Sequence, residues 1–178
     1  MKKPMKWLLA MALVAGCDGA RPGHSGPSAS GTLDPTTATA GERVWIDLRL
    51  RAEGAERFSS LLVAPGEVSV FADGAPVEVR PTRSLVDLAN PERADTVAAF
   101  ALPPNARRVE VHIDLGAAGS FEATGGGGWV DTRHGAIRFE AAGPLLLRTR
   151  SSVVSIDARR SFVARDGALV MVPSFRVN

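Results

Sequence analysis

Arg107-Arg108-Val109-Glu110-Val111-His112-Ile113-Asp114-Leu115 carries the clearest two-residue period in the chain. Val109, Val111, Ile113 and Leu115 fall on one side of an extended backbone, with Arg108, Glu110, His112 and Asp114 on the other, because successive strand side chains point to opposite faces. A helix would scatter those aliphatics around its circumference. The stretch therefore predicts a half-buried strand, and its uninterrupted run suits the interior of a sheet. Residues 44–50 repeat the pattern, with Val44, Ile46, Leu48 and Leu50 inward and Trp45, Asp47 and Arg49 outward.

Working outward from these two strands, turn signals recur about every ten residues, and no segment holds a 3.6-residue period over a helical length. Residues 67–72 and 75–80 flank Asp73-Gly74, a dipeptide suited to a two-residue hairpin because both positions tolerate positive φ. Pro76 lacks an N–H, which places that hairpin at a sheet edge. Ser84-Leu85-Val86-Asp87 has the spacing of a capping box, so a single helical turn or a loop is expected there, stopped by Asn90-Pro91. Residues 96–102, 120–123, 136–141, 145–150 and 153–156 read as further strands. The four glycines 125–128 read as a mobile loop. A last hairpin joins 161–164 to 168–172 across Arg165-Asp166-Gly167, followed by 174–177. The expected fold is all-β, an antiparallel β-sandwich.

The N-terminus is of a different character. Lys2, Lys3 and Lys6 precede an apolar run from Trp7 to Ala15, far shorter than the roughly 20 residues that span a bilayer. The run ends in Val14-Ala15-Gly16-Cys17, which holds the one cysteine of the chain. These residues resemble the lipoprotein signal of bacteria, in which small side chains precede a cysteine that is lipidated and becomes the mature N-terminus. The resemblance implies cleavage between Gly16 and Cys17, acylation of Cys17 (palmitate among the chains), and an extracytoplasmic protein held on a membrane of the bacterial cell envelope. One acyl chain anchors only marginally, and two or three anchor stably. Asp18 resembles the inner-membrane retention signal of enteric bacteria, but other lineages sort differently, so inner and outer membrane both stay open.

The domain expectation is thus a signal peptide over 1–16, a lipidated cysteine and Gly/Pro/Ser tether over 17–31, and one β-sandwich domain over 32–178. As a flexible coil the tether reaches roughly 20 Å. His24 and Ser25 lie within it, where nothing holds a nucleophile and base in register. About 145 residues suffice for one core and are too few for two.

The net charge of +2 belongs to the precursor. Its three lysines all lie in the signal, leaving eighteen basic residues, every one an arginine, against 19 acidic ones. A mature charge near −1 removes the electrostatic argument for nucleic acid. With Cys17 lipidated, no disulfide is available and stability must come from the core.

A second resemblance lies within the domain. Leu85-Val86-Asp87-Leu88-Ala89-Asn90, then Leu102-Pro103-Pro104 leading into Val109 to Leu115, is similar to a widespread uncharacterised domain of bacterial lipoproteins. Ser155-Ile156-Asp157-Ala158-Arg159-Arg160-Ser161-Phe162-Val163 and Val172-Pro173-Ser174-Phe175-Arg176-Val177 look like its closing pattern. Asn105-Ala106-Arg107 departs from the family's glycine-aromatic turn, and the chain has no tyrosine. The resemblance implies a transthyretin-like or immunoglobulin-like sandwich and transfers no chemistry.

Candidate sites are few. Glu110, His112 and Asp114 share one strand face and are weak candidates for a divalent metal, since ligands spaced along one strand do not converge. Trp129, Asp131, Arg133 and His134 follow the glycine run and form a candidate carbohydrate site, an indole for stacking with polar groups around it. Asp47, Asp87, Asp114, Asp131 and Asp157 show no pairing that acid–base work needs. There is no nucleophile elbow, zinc-protease helix or free thiol, and no cofactor motif. The sequence reading is a non-enzymatic envelope protein that binds or scaffolds a protein partner, in one version through an edge strand. A carbohydrate-binding module centred on Trp129 is the alternative, and a metal-assisted enzyme the third.

Overall fold

In the computed structural model, which describes residues 42–116 and 118–178, the chain is all-β with short helical insertions, and its sheets pack against one another without closing into a barrel. The lipidation and cleavage residues, Gly16 and Cys17, and the tether lie outside the described residues. No helix among the described residues is long and apolar enough to cross a membrane.

The strands run, in chain order, β1 (Val44–Glu53), β2 (Phe58–Val63), β3 (Pro65–Ala72), β4 (Ala75–Pro76), β5 (Val79–Pro81), β6 (Val86–Asp87), β7 (Asp95–Leu102) and β8 (Arg108–Leu115). They continue as β9 (Ala118–Ala123), β10 (Gly126–Asp131), β11 (Ile137–Ala142), helix α1 (Gly143–Thr149), β12 (Ser151–Asp157), helix α2 (Ala158–Ser161), β13 (Phe162–Arg165), β14 (Ala168–Met171) and β15 (Phe175–Val177). They form a five-stranded sheet in the order β15-β12-β1-β7-β5, a six-stranded sheet β13-β14-β10-β9-β2-β6, and a four-stranded sheet β11-β8-β3-β4. Most pairings are antiparallel. The exceptions are β1 with β12 and β10 with β14, which run parallel.

Both strands that decide the fold occupy interior positions. Val109, Val111 and Ile113 on β8 are fully buried, with β3 and β11 on either side, and Ile46, Leu48 and Leu50 on β1 are fully buried, with β12 and β7 on either side. Each such side chain contributes roughly 1.5–3 kcal/mol relative to exposure. The opposite face of β1 is a charged ladder, with Arg49 paired to Asp47 and Glu53 gripped by Arg51 and Arg176.

Four expectations are corrected. Residues 145–150 form no strand. Pro144 sits in the first turn of a helix, and Arg150, at φ 59°, ends it by donating its N–H to the Leu146 carbonyl. An apolar triplet such as Leu145-Leu146-Leu147 has no period of its own, so the proline and leucine's helix propensity decide. Gly143 lets this helix approach β8's start closely, because a Cβ there would overlap the Ala106 carbonyl.

The glycine run is also no loop. Gly126, Gly127 and Gly128 are strand residues of β10 opposite Ala123, Glu122 and Phe121, and the turn lies at Thr124-Gly125. Ladder hydrogen bonds need no side chain, and the Phe121 ring fills the space a Gly128 side chain would take.

Ser84 to Asp87 forms no capping box. The Asp87 carboxylate instead accepts the N–H groups of Leu61 and Ala89, each at 2.9 Å, and so ties β6 to β2. The strand expected over 75–80 splits. Its first two residues close the Asp73-Gly74 hairpin, with Asp73 at φ 49° and Gly74 at φ 84°, and then the chain crosses to pair β5 with β7 in the other sheet. Proline at 76 and 81 ends each short pairing, as its missing N–H requires.

Candidate functional site

The inner face of the six-stranded sheet carries Phe58, Leu61, Val130, Leu169 and Met171 into the core. Its outer face is defined by register. Trp129 on β10 stands directly opposite Ser120 on β9, Ser120 opposite Leu62 on β2, and Leu62 opposite Asp87 on β6. One row along, Asp131 neighbours Val170 on β14, and Val170 neighbours Val163 on β13. Paired residues share a face, so these side chains form one surface.

That surface is turned to solvent. Trp129 is 73% exposed and Val163 57% exposed. Gly127, two residues before Trp129 on the same strand face, adds no side chain beside the indole, and Ser120 adds a small hydroxyl. The ring therefore stands beside Gly127 and Ser120 on a six-stranded support. An indole left this open forgoes about 3–4 kcal/mol of burial, taking roughly 200 Å² of side-chain area at ~25 cal/mol/Å². The fold offers no packing reason for it.

The polar residues expected beside Trp129 are brought together, in a particular way. Asp131 accepts from the Arg133 Nε at 3.0 Å, from its terminal nitrogen at 2.6 Å, and from its backbone N–H at 3.1 Å. Those bonds from Arg133 hold the Asp131 carboxyl well below the usual carboxylate range, and His134 adds a smaller effect of the same sign. Between them Thr132 is buried, its hydroxyl donating to the Gly116 carbonyl. Asp131 and Arg133 thus brace the turn after β10, Asp131 alone lying on the strand face of Trp129, and His134 is exposed at the turn's tip.

The metal candidates do not converge. Glu110 pairs with Arg108 at 3.1 Å, and the His112 ring packs beside Phe71 with centroids 5.7 Å apart. Asp114 lies further along the strand, and alternate strand residues are separated by roughly 7 Å. Among the described residues no three His, Cys, Asp or Glu side chains gather as a metal site. The aspartates have local tasks: Asp47 pairs with Arg49, Asp87 ties β6 to β2, and Asp157 caps α2 by accepting the N–H groups of Arg159 and Arg160.

Sequence reasoning missed what surrounds Trp129. β2 went unread because a bulge between Phe58 and Ser60 breaks its alternation, so Leu62 and Ser60 were not placed on this face. β13 and β14 were read as a hairpin, but nothing in the sequence shows β14 lying parallel to β10.

The fold is a layered all-β protein with one open sheet face bearing an unpacked indole. Comparison of the chain with protein-family models, with curated proteins and with solved structures found no match.

Proposed function

We propose that this is a non-catalytic binding protein of the bacterial envelope, anchored through lipid on Cys17, and that its binding element is the outer sheet face centred on Trp129. The ligand class is a glycan. The observation that carries this reading is the 73% exposure of Trp129 on a paired strand beside Gly127 and Ser120. A sugar ring offers an apolar C–H face for the indole and hydroxyls around its rim, and Ser120 and Glu122 on the adjoining strand supply polar partners. A strand-borne platform is pre-organised, so little ordering entropy is lost on binding. The tether would lift such a platform clear of the headgroups.

The test is a tryptophan-fluorescence titration of the full chain in detergent with chito-oligosaccharides, together with co-sedimentation on purified peptidoglycan. Saturable binding that disappears in Trp129→Ala and survives in Trp45→Phe is the expected result. Binding unchanged by Trp129→Ala, or none to any glycan, would remove the proposal.

A further inference from the structure

We infer that β11 is a self-recognition edge, through which a second copy of this chain pairs antiparallel to make one continuous eight-stranded sheet from two four-stranded ones. β11 ends its sheet, paired with β8 on one side only. Of the six edge strands among the described residues it is the longest, with six residues against two to four in the others. An open edge of that length presents unpaired N–H and C=O groups to a partner strand.

Its sequence, Ile137-Arg138-Phe139-Glu140-Ala141-Ala142, is self-complementary when reversed about Phe139. In that register Arg138 faces the partner's Glu140 and Glu140 faces the partner's Arg138. Both charges stand on the exposed face. On the other face Phe139 meets its own copy and Ile137 meets Ala141, all three apolar, with Phe139 and Ala141 half-buried at the rim of the core. Sliding by one residue per chain sets Arg138 against Arg138 or Glu140 against Glu140, and like charges directly opposite are destabilising. The two charges therefore select a single register.

Arg138 has no ion pair among the described residues. Glu140 already pairs with Arg108, a guanidinium it shares with Glu110, so the second copy's Arg138 would join that pair as a further cation. Beside Glu140, Ala141 and Ala142 a groove of about 300 Å³, walled by Leu145 and Val177, gives the incoming strand room. Leu145 is 44% exposed there. The symmetry is that of a two-fold dimer, in which one patch meets itself.

The experiment is sedimentation equilibrium of the full chain in a neutral, density-matched detergent over a wide concentration range, with three variants. The wild type is expected to shift from one chain toward two as concentration rises. Arg138→Glu and Glu140→Arg, each of which creates like-charge pairs, should stay at one chain. The doubly reversed chain should regain the dimer, since opposite charges again face each other. Chance sharing of a micelle would ignore the charges. A wild type that stays monomeric throughout, single variants that associate as the wild type does, or a double variant that fails to recover overturns the inference.

Discussion

The guanidinium of Arg80 lies 4.1 Å from the centre of the Trp45 ring, a stacked cation on the outer face of the five-stranded sheet. Trp45 is thereby covered to 36% exposure, whereas Trp129, on the six-stranded sheet, stays open at 73%. The two indoles are distinguishable in solution. With Trp7 replaced by phenylalanine so that only these two indoles emit, acrylamide should quench Trp129 more strongly, so Trp129→Phe removes the quenchable, red-shifted part of the emission and Trp45→Phe leaves it. Trp129→Ala should alter stability by only about 0.5 kcal/mol or less, as surface substitutions do. Trp45→Ala should cost more, because it loses both packed area and a cation–π contact of roughly 0.5–1 kcal/mol. Equal quenching of the two would contradict this difference in exposure.

How much of this was legible follows from where the information sits. The alternation of β1 and β8 is local, and it places their core faces correctly because burial on one side of a strand imposes a two-residue period. The Asp-Gly turns are local too, and both Asp73-Gly74 and Asp166-Gly167 adopt positive φ as their composition requires. What was hidden is non-local. The parallel partnership of β10 with β14 depends on how distant segments stack, and it is what completes the face around Trp129. Glycine 126–128 misled because a residue without a side chain carries no period, although its backbone pairs as well as any other. The indole itself was found from its neighbours in sequence; its exposure had no sequence signal.

The central strand gives a direct check on the core. Ile113 is fully buried with β3 and β11 on either side, so Ile113→Ala should lose about 2–5 kcal/mol from lost transfer energy and the cavity left behind. His112→Ala, one residue away on the solvent side, should cost far less. Urea-unfolding midpoints of the two variants test the alternation, and similar losses would mean that β8 is not half-buried.

Gly143 marks the join between β11 and α1. Its N–H donates to the Arg107 carbonyl at 2.8 Å, and a methyl group at this position would meet the Ala106 carbonyl. Gly143→Ala should therefore destabilise by about 1–3 kcal/mol through overpacking, despite alanine's better helix propensity. A stabilised variant, read from its thermal midpoint, would show that α1 has room to shift.

Two carboxylates, the exposed Asp73 and the half-buried Asp131, make acid lability specific. The Asp73 carboxylate accepts the backbone N–H groups of Arg108 and Arg107, which hold it below the usual carboxylate range, and Asp131 is held down by the fork and backbone N–H of Arg133. For a group whose folded pKa is depressed, the unfolded chain binds the proton more readily, so its contribution is fully present above the unfolded value of about 3.9 and fades as pH falls toward the folded one. Asp73→Asn keeps a residue that tolerates the left-handed turn at φ 49° while removing the charge. Its stability should therefore lie below the wild type at pH 7 and converge on it as the pH drops below about 4. Asp131→Asn should behave in the same way, and adding Arg133→Gln to it should change little further, since the fork is already lost. Denaturation midpoints measured from pH 7 to pH 2.5 decide the matter: parallel curves for wild type and variants would mean that neither carboxylate is linked to folding.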